Sequence, residues 1–155
     1  NFFRKVGAGS WTEVTTSGLP GNHFFHGNDI IVHPTVPGTI YVAGSGYSNP
    51  GVFRSTNNGA SFAAFATGLP STMIFDLAIS ADGQHLFAAT ELGPYYYDAG
   101  LATWVDLSGA TAPEQVYWDV DFVDSENTAR FSTYGRGIWD FVIDNSGLIY
   151  RNGFE

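Results

Sequence analysis

Cysteine is absent from this chain, so no disulfide braces it and no thiolate chemistry is open to it. That absence does not set the compartment, because secreted bacterial proteins also do without disulfides. Basic residues are scarce as well: six Lys and Arg stand against fifteen Asp and Glu, for a net charge of −9. Phosphate backbones and anionic membrane surfaces are held by clustered Lys and Arg, so neither is expected as a partner. No apolar run approaches the roughly 18 residues a membrane-spanning helix needs. No leader segment is visible either. The helix formers Lys, Glu, Met and Gln are few, and only 14% of residues are charged. What fills their place is β-rich and turn-rich. Hydrophobic residues make up 44% and aromatics 16%, with nineteen Gly and seven Pro. Such a balance can build a core and reads as all-β.

The chain repeats itself. Asp29-Ile30-Ile31-Val32, Asp76-Leu77-Ala78-Ile79 and Asp119-Val120-Asp121-Phe122 each open with Asp and continue as a short apolar strand, 47 and 43 residues apart. A turn and a second strand follow each. The turns are Pro37-Gly38, Asp82-Gly83 and Ser125-Glu126-Asn127, all residues that favour tight turns or positive φ. A third strand opens at Gly51, Gly93 and Gly137, and a fourth begins at an aromatic, Trp11, Phe62 or Trp104. Gly18-Leu19-Pro20 and Gly68-Leu69-Pro70 come after the fourth strand, with a looser Leu107-Ser108-Gly109. Four short strands per 40–50 residues is the pattern of a β-propeller blade. One such sheet cannot cover both its faces, and stacking blades around an axis buries the apolar faces between neighbours.

About three and a half blades are expected: 1–20 as the end of one blade, then 21–67, 68–110 and 111–155. Phe3-Arg4 echoes Phe53-Arg54, which places the start within a blade. Asp144-Asn145-Ser146-Gly147 is expected to turn into a closing strand, Leu148-Ile149-Tyr150. A closed propeller takes about 4–8 blades. The chain is therefore expected to be the C-terminal part of a longer polypeptide, or else several copies share one ring.

Between the third and fourth strands of the first full blade lies Ser55-Thr56-Asn57-Asn58-Gly59-Ala60-Ser61-Phe62. It resembles the Asp-box, or BNR, hairpin with pattern Ser-x-Asp-x-Gly-x-Thr-Trp. Ser55, Gly59, Ser61 and Phe62 fit, and Asn57 stands where the pattern has Asp. The chemistry of the hairpin is structural: a short Asx side chain accepts hydrogen bonds from the turn's own backbone, Gly takes positive φ, and the aromatic plugs the hairpin onto the sheet. Asp98, Gly100 and Trp104 make a second copy, with one extra residue before Trp104. The chain is thus similar to the Asp-box propellers: xyloglucan-degrading endoglucanases, sortilin-type receptors and photosystem-assembly propellers. Tyr134-Gly135-Arg136-Gly137-Ile138-Trp139 also resembles a strand common in their last blades. The same hairpin decorates proteins of unrelated activity, so the resemblance implies architecture more than function.

Candidate chemistry lies in four groups. Asp119 and Asp121 are two apart on a strand and so share one face, with Trp118, Val120 and Phe122 expected on the other. Asp119 repeats Asp29 and Asp76 and reads as a strand-start hydrogen-bond acceptor; Asp121 departs from the repeat, where Ile31 and Ala78 stand. Asp119, Asp121, Asp124 and Glu126 lack the Gly and bidentate Glu of a Ca²⁺ loop. His23 and His26 share an inter-blade loop, but no third zinc ligand accompanies them. Trp118, Tyr117, Tyr134, Trp139 and the Tyr95-Tyr96-Tyr97 run suit either inter-blade packing or stacking on sugar faces. Arg130 and Arg136 suit ion pairs with the acidic residues around Asp119 and Asp140 or a carboxylate clamp.

The candidate ligand-binding set is therefore Asp121, Tyr134, Arg136, Trp118, His23 and His26, with no metal and no cofactor expected. The leading expectation is a non-catalytic propeller module of a secreted or periplasmic bacterial protein, contacting protein or carbohydrate. The alternative is part of a polysaccharide-active propeller enzyme, xyloglucanase-like or sialidase-like, whose catalytic residues lie in other blades.

Overall fold

The computed structural model describes residues 2–5, 7–21, 25–109, 112–144 and 149–153, the last stretch by its backbone. Fourteen strands run in chain order among these residues. A two-stranded sheet pairs β1 (Phe2–Arg4) with β2 (Thr12–Val14). Three four-stranded antiparallel meanders follow. The first is β3 (Gly27–Val32), β4 (Ile40–Gly44), β5 (Val52–Ser55) and β6 (Ala63–Ala64). The second is β7 (Ile74–Ile79), β8 (Leu86–Thr90), β9 (Pro94–Asp98) and β10 (Thr103–Asp106). The third is β11 (Tyr117–Val123), β12 (Thr128–Thr133), β13 (Ile138–Ile143) and β14 (Ile149–Gly153). These are propeller blades in sequence order, three complete and one of two strands. No helix among the described residues is long and apolar enough to cross a membrane.

The expected punctuation sits where the strands turn. Gly38 and Gly83 have φ of 83° and 77°, and Asn127 (φ 50°) ends a 3₁₀ turn over Asp124–Glu126. Third strands begin just after Gly51, Gly93 and Gly137. The turn proposed at Asp144–Gly147 falls mostly outside the described residues. Of the three aromatics expected to plug fourth strands, Phe62 and Trp104 are buried, and the Trp104 Nε1–H donates to the Phe65 carbonyl at 2.8 Å. Trp11 instead is 68% exposed. Among the described residues its sheet consists of β1 and β2.

Apolar faces meet between blades, as one sheet alone cannot bury both of its sides. Tyr41, Ala43 and Val52 of the first full blade pack against Leu77, Leu86, Ala88 and Tyr95 of the second. Ala78, Phe87 and Ala89 of the second pack against Val120, Phe122, Ala129 and Phe131 of the third. Phe87 and Phe131 are completely buried, and truncating either to Ala should cost about 3–5 kcal/mol. The Tyr95-Tyr96-Tyr97 run splits as alternation requires: Tyr95 and Tyr97 join one inter-blade core and Tyr96 the other.

Polar ties repeat at each joint. The Asp29 carboxylate accepts the Leu77 N–H at 3.1 Å, and the Asp76 carboxylate accepts the Val120 N–H at 2.9 Å. Each Asp thus holds the residue that follows the corresponding Asp of the next blade. Further out, the Ser17 carbonyl accepts the Phe62 N–H at 2.9 Å, and the Thr67 carbonyl accepts the Trp104 N–H at 2.8 Å. The Gly of each Gly-Leu-Pro run makes that approach possible. Gly18 and Gly68 have φ of 84° and 91°, and a Cβ on them would fall 1.9 and 2.3 Å from the Phe62 and Trp104 carbonyl oxygens.

Candidate functional site

One irregularity recurs at the start of every innermost strand. The pairing of β3 with β4, β7 with β8 and β11 with β12 each slips by one residue, at Gly27/Asp29, Ile74/Asp76 and Tyr117/Asp119. The extra residues are Asn28, Phe75 and Trp118. A bulge of this kind re-aims a side chain. It also corrects the simple alternation expected for β11. Val120 and Phe122 are buried with Tyr117, but Trp118 is 47% exposed and does not share their face.

The bulges lie at one end of the blades, beside the loops between second and third strands. The same hydrogen bond recurs there: the His26, Met73 and Val116 carbonyls accept the N–H groups of Ser45, Glu91 and Tyr134 at 3.0, 3.1 and 3.4 Å. At this rim the Phe75 and Trp118 rings lie 4.3 Å apart between centroids, from adjacent blades. Tyr134 follows one loop residue away from the paired strands and is 80% exposed. Arg136 is held on that loop by its own N–H, which donates to Thr133 Oγ1 at 3.2 Å, and by its carbonyl, which accepts the Trp139 Nε1–H at 3.1 Å. Gly135 and Gly137 on either side have φ of 82° and 78°, which lets the loop turn this tightly. The structure therefore brings Trp118, Tyr134 and Arg136 of the candidate set to one rim and adds Phe75, which sequence reasoning missed. The missed signal was its position one residue before a repeat Asp, where Trp118 also stands.

Further out on the same end, Tyr47 Oη–H donates to Glu91 Oε2 at 2.7 Å, joining two blades. That bond raises the Tyr47 pKa above its ordinary value. A cavity of about 360 Å³ lies between the second and third full blades, lined by Leu92, Tyr95, Asp106, Glu114 and Gln115 among others. Burial, with Asp106 adding to it, pushes the Tyr95 phenol up to about 12. Nearer the axis, burial is also the main reason that the Asp76 carboxyl is raised from 3.8 to about 6. The Val120 N–H opposes that rise, and the neighbouring Asp29 and Asp119 carboxylates add to it.

The other candidates lie apart from this rim. Asp121 is exposed in the middle of β11, opposite Arg130. Arg130 instead binds Asp140 through two bonds, Nε–H to Oδ1 at 2.8 Å and Nη2–H to Oδ2 at 2.7 Å, and reaches Glu126 at 3.1 Å. The bonds to Asp140 raise the Arg130 pKa beyond its ordinary value. His26 is exposed at the edge of the rim, its N–H donating to Ser45 Oγ at 2.8 Å, whereas His23 lies outside the described residues. Among the described residues no three His, Cys, Asp or Glu side chains come together as a metal site would require.

The two hairpins show how their residues work. Ser55 Oγ–H donates to Asn57 Oδ1 at 2.9 Å, and Ser55 Oγ accepts the Gly59 N–H at 2.9 Å. Asn57 Oδ1 also accepts the Ser61 N–H at 2.9 Å, while its Nδ2–H donates to Ser61 Oγ at 2.8 Å. Phe62 closes the turn onto Ile40, Val42 and Phe53. In the second hairpin Asp98 Oδ1 accepts the Gly100 and Leu101 N–H groups at 2.8 and 3.0 Å. The positive φ there falls on Ala102, not on Gly100, because the extra residue displaces the turn.

No family model matches the chain. Among curated proteins it is similar to a xyloglucanase of Hypocrea jecorina, 30% identical over 152 residues, covering 85% of this chain and 17% of that protein. Among solved structures it is similar to an ancestral GH74 enzyme, with a TM-score of 0.66 at 20% identity over 90% of this chain, and to the Niastella koreensis GH74 enzyme, with 0.60 at 20% identity over 72%. The chain spans 20% of each of those two. The RRP9 WD40 repeats also match, with a TM-score of 0.60 at 15% identity over 85% of this chain and 39% of that one. At these identities the solved structures speak to fold alone, and they agree with the sheet topology: this chain is a run of β-propeller blades.

Proposed function

We propose that this chain is part of a polysaccharide-active propeller enzyme of the glycoside hydrolase type, and that its aromatic rim forms one wall of a sugar-binding groove. The similarity to the Hypocrea jecorina xyloglucanase carries this reading, and it favours the enzyme over the non-catalytic module that the sequence put first. The rim supports it chemically. Phe75 and Trp118 offer a broad apolar ledge, Tyr134 a second ring, and Arg136 an exposed guanidinium on a loop whose backbone is held. Sugar rings stack apolar faces on aromatics and satisfy hydroxyls with polar neighbours, as other small-ligand sites combine the two. Hydrolysis needs two carboxyl groups flanking the bond. Asp29 and Asp76 are engaged in joining blades, so this chain is assigned sugar binding and the reacting pair is assigned to other blades. The Ser55–Phe62 hairpin is read as an Asp-box, and a polymeric substrate places the protein outside the cytoplasm.

The whole polypeptide should release reducing ends from xyloglucan. Calorimetric titration with xyloglucan oligosaccharides should show Trp118→Ala binding about tenfold more weakly, the equivalent of about 1.4 kcal/mol of lost stacking. Leu101→Ala, which trims a 71% exposed side chain on the β9–β10 hairpin, should bind as the parent does. If Trp118→Ala also binds as the parent does, the rim is not the groove. If no reducing ends appear while binding persists, the non-catalytic reading takes its place.

A further inference from the structure

The three complete blades differ sharply on the face that each turns toward the next blade. In the first, the central row across this leading face is Ile31–Tyr41–Arg54, set by strand register. In the second it is Ala78–Phe87–Tyr96. Ile31 and Tyr41 of the first row and all three residues of the second are packed into inter-blade cores, while Arg54 is exposed with its guanidinium over the Phe65 ring. In the third, the same register positions hold Asp121–Arg130–Asp140. Arg130 is bound to Asp140 and Glu126, while Asp121 is exposed with no hydrogen bond or ion pair among the described residues. Asp119 adds a further carboxylate on this face. This face therefore carries four carboxylates and one guanidinium, with Asp140 and Glu126 on Arg130 and Asp119 beside Asp76, where the inner two positions of the other rows bury apolar side chains.

We infer that the leading face of the third blade docks a further propeller blade whose trailing face is basic, so that this joint is made by charge rather than by an apolar core. Two features identify the occupant as a blade. Asp29 and Asp76 each accept a backbone N–H from the first strand of the following blade, and Asp119 stands at the same repeat position. Ser132 likewise occupies the position of Ala43 and Ala89, which neighbouring blades bury completely. Charge complementarity sets the chemistry: an excess of carboxylates asks for Lys or Arg opposite Asp121, since a carboxylate buried without a partner costs several kcal/mol. A second copy of this chain fits poorly. The trailing side of its first complete blade presents Ile30 and Val32, 51% and 62% exposed, and these would bury Asp121 against hydrocarbon. The inference is independent of the sugar-binding proposal.

The test is thiol labelling of Ser132→Cys in the whole polypeptide, followed by mass spectrometry of the labelled peptide. This chain has no cysteine of its own, and Leu101→Cys, at a site 71% exposed, supplies the unprotected reference. At low ionic strength Ser132→Cys should react at least about tenfold more slowly than Leu101→Cys, as protected sites that react only on opening do. Near about 1 M salt, where charges are screened within roughly 3 Å, that gap should shrink several-fold. Adding Asp121→Asn should remove much of the salt response. Equal rates at the two sites would mean that the face is open to water. Protection indifferent to salt would mean an apolar occupant, and protection that grows with protein concentration would mean a second copy. Any of these three results overturns the inference.

Discussion

Ala102 has φ of 52°, a left-handed conformation that costs an L-residue with a Cβ roughly 1–2 kcal/mol. It is exposed, so nothing but its backbone is at stake. Ala102→Gly removes the steric cost and returns about 0.4–1 kcal/mol as extra freedom of the unfolded chain. The net expectation is about 0.5–1 kcal/mol of added stability, read from the midpoint of urea unfolding at unchanged slope. Single residues were the least legible part of this sequence. Ala102 carries no mark of positive φ, because Gly100 two places earlier is the residue that pattern reading selects. Trp118 was misplaced for a related reason. Alternation assigns it to the face of Val120 and Phe122, and an inserted residue in one strand of a pair leaves no local signature. Only lining up Asn28, Phe75 and Trp118 before their three Asp residues reveals the bulge.

Elements were far more legible, because a blade is specified several times over. The Asp that opens the first strand, the turn residues after it, and the Gly before the third strand are separate physical demands recurring at one period. Their agreement leaves little room for another fold. The Gly-Leu-Pro run is a fourth demand, and its reason is visible only in three dimensions: the outer edge of one blade passes too close to the next for any Cβ. Gly68→Ala would set a methyl group 2.3 Å from the Trp104 carbonyl oxygen and 2.5 Å from Thr103 Oγ1, at φ 91°. Both contacts belong to the neighbouring fourth strand, so relief requires the blades to part. The expected loss is about 2–4 kcal/mol, of the size seen for overpacking added to backbone strain. Gly21→Ala, where an added Cβ meets nothing within 4 Å, is the matched control and should change stability by less than about 1 kcal/mol. Equal effects from the two substitutions would show that the close approach at Gly68 is not what constrains this edge.

Across the whole molecule, the joints between blades decide how the structure responds to pH. Asp29, Asp76 and Asp119 sit on three adjacent innermost strands, and Asp76 is flanked by carboxylates on both sides. Burial first, and these neighbours next, raise its pKa from 3.8 to about 6 although it accepts the Val120 N–H. A folded-state pKa above the unfolded value means that the folded chain holds the proton more tightly. The contribution of Asp76 to stability is therefore complete below about pH 4 and is withdrawn as pH rises through about 6. This sign is opposite to that of a salt-bridged carboxylate. Asp76→Asn imitates the protonated form and keeps an oxygen for the Val120 N–H. Its melting temperature should match the parent's near pH 4 and exceed it above pH 6, the difference opening between those values. A difference that is constant with pH would mean that Asp76 does not titrate in this window. A parent more stable than the variant at pH 7 would mean that the charged form is the one this joint is built to hold. The sequence could mark Asp76 as a repeated acceptor, but not as the middle member of an acidic row, because that follows from how tightly the blades stack.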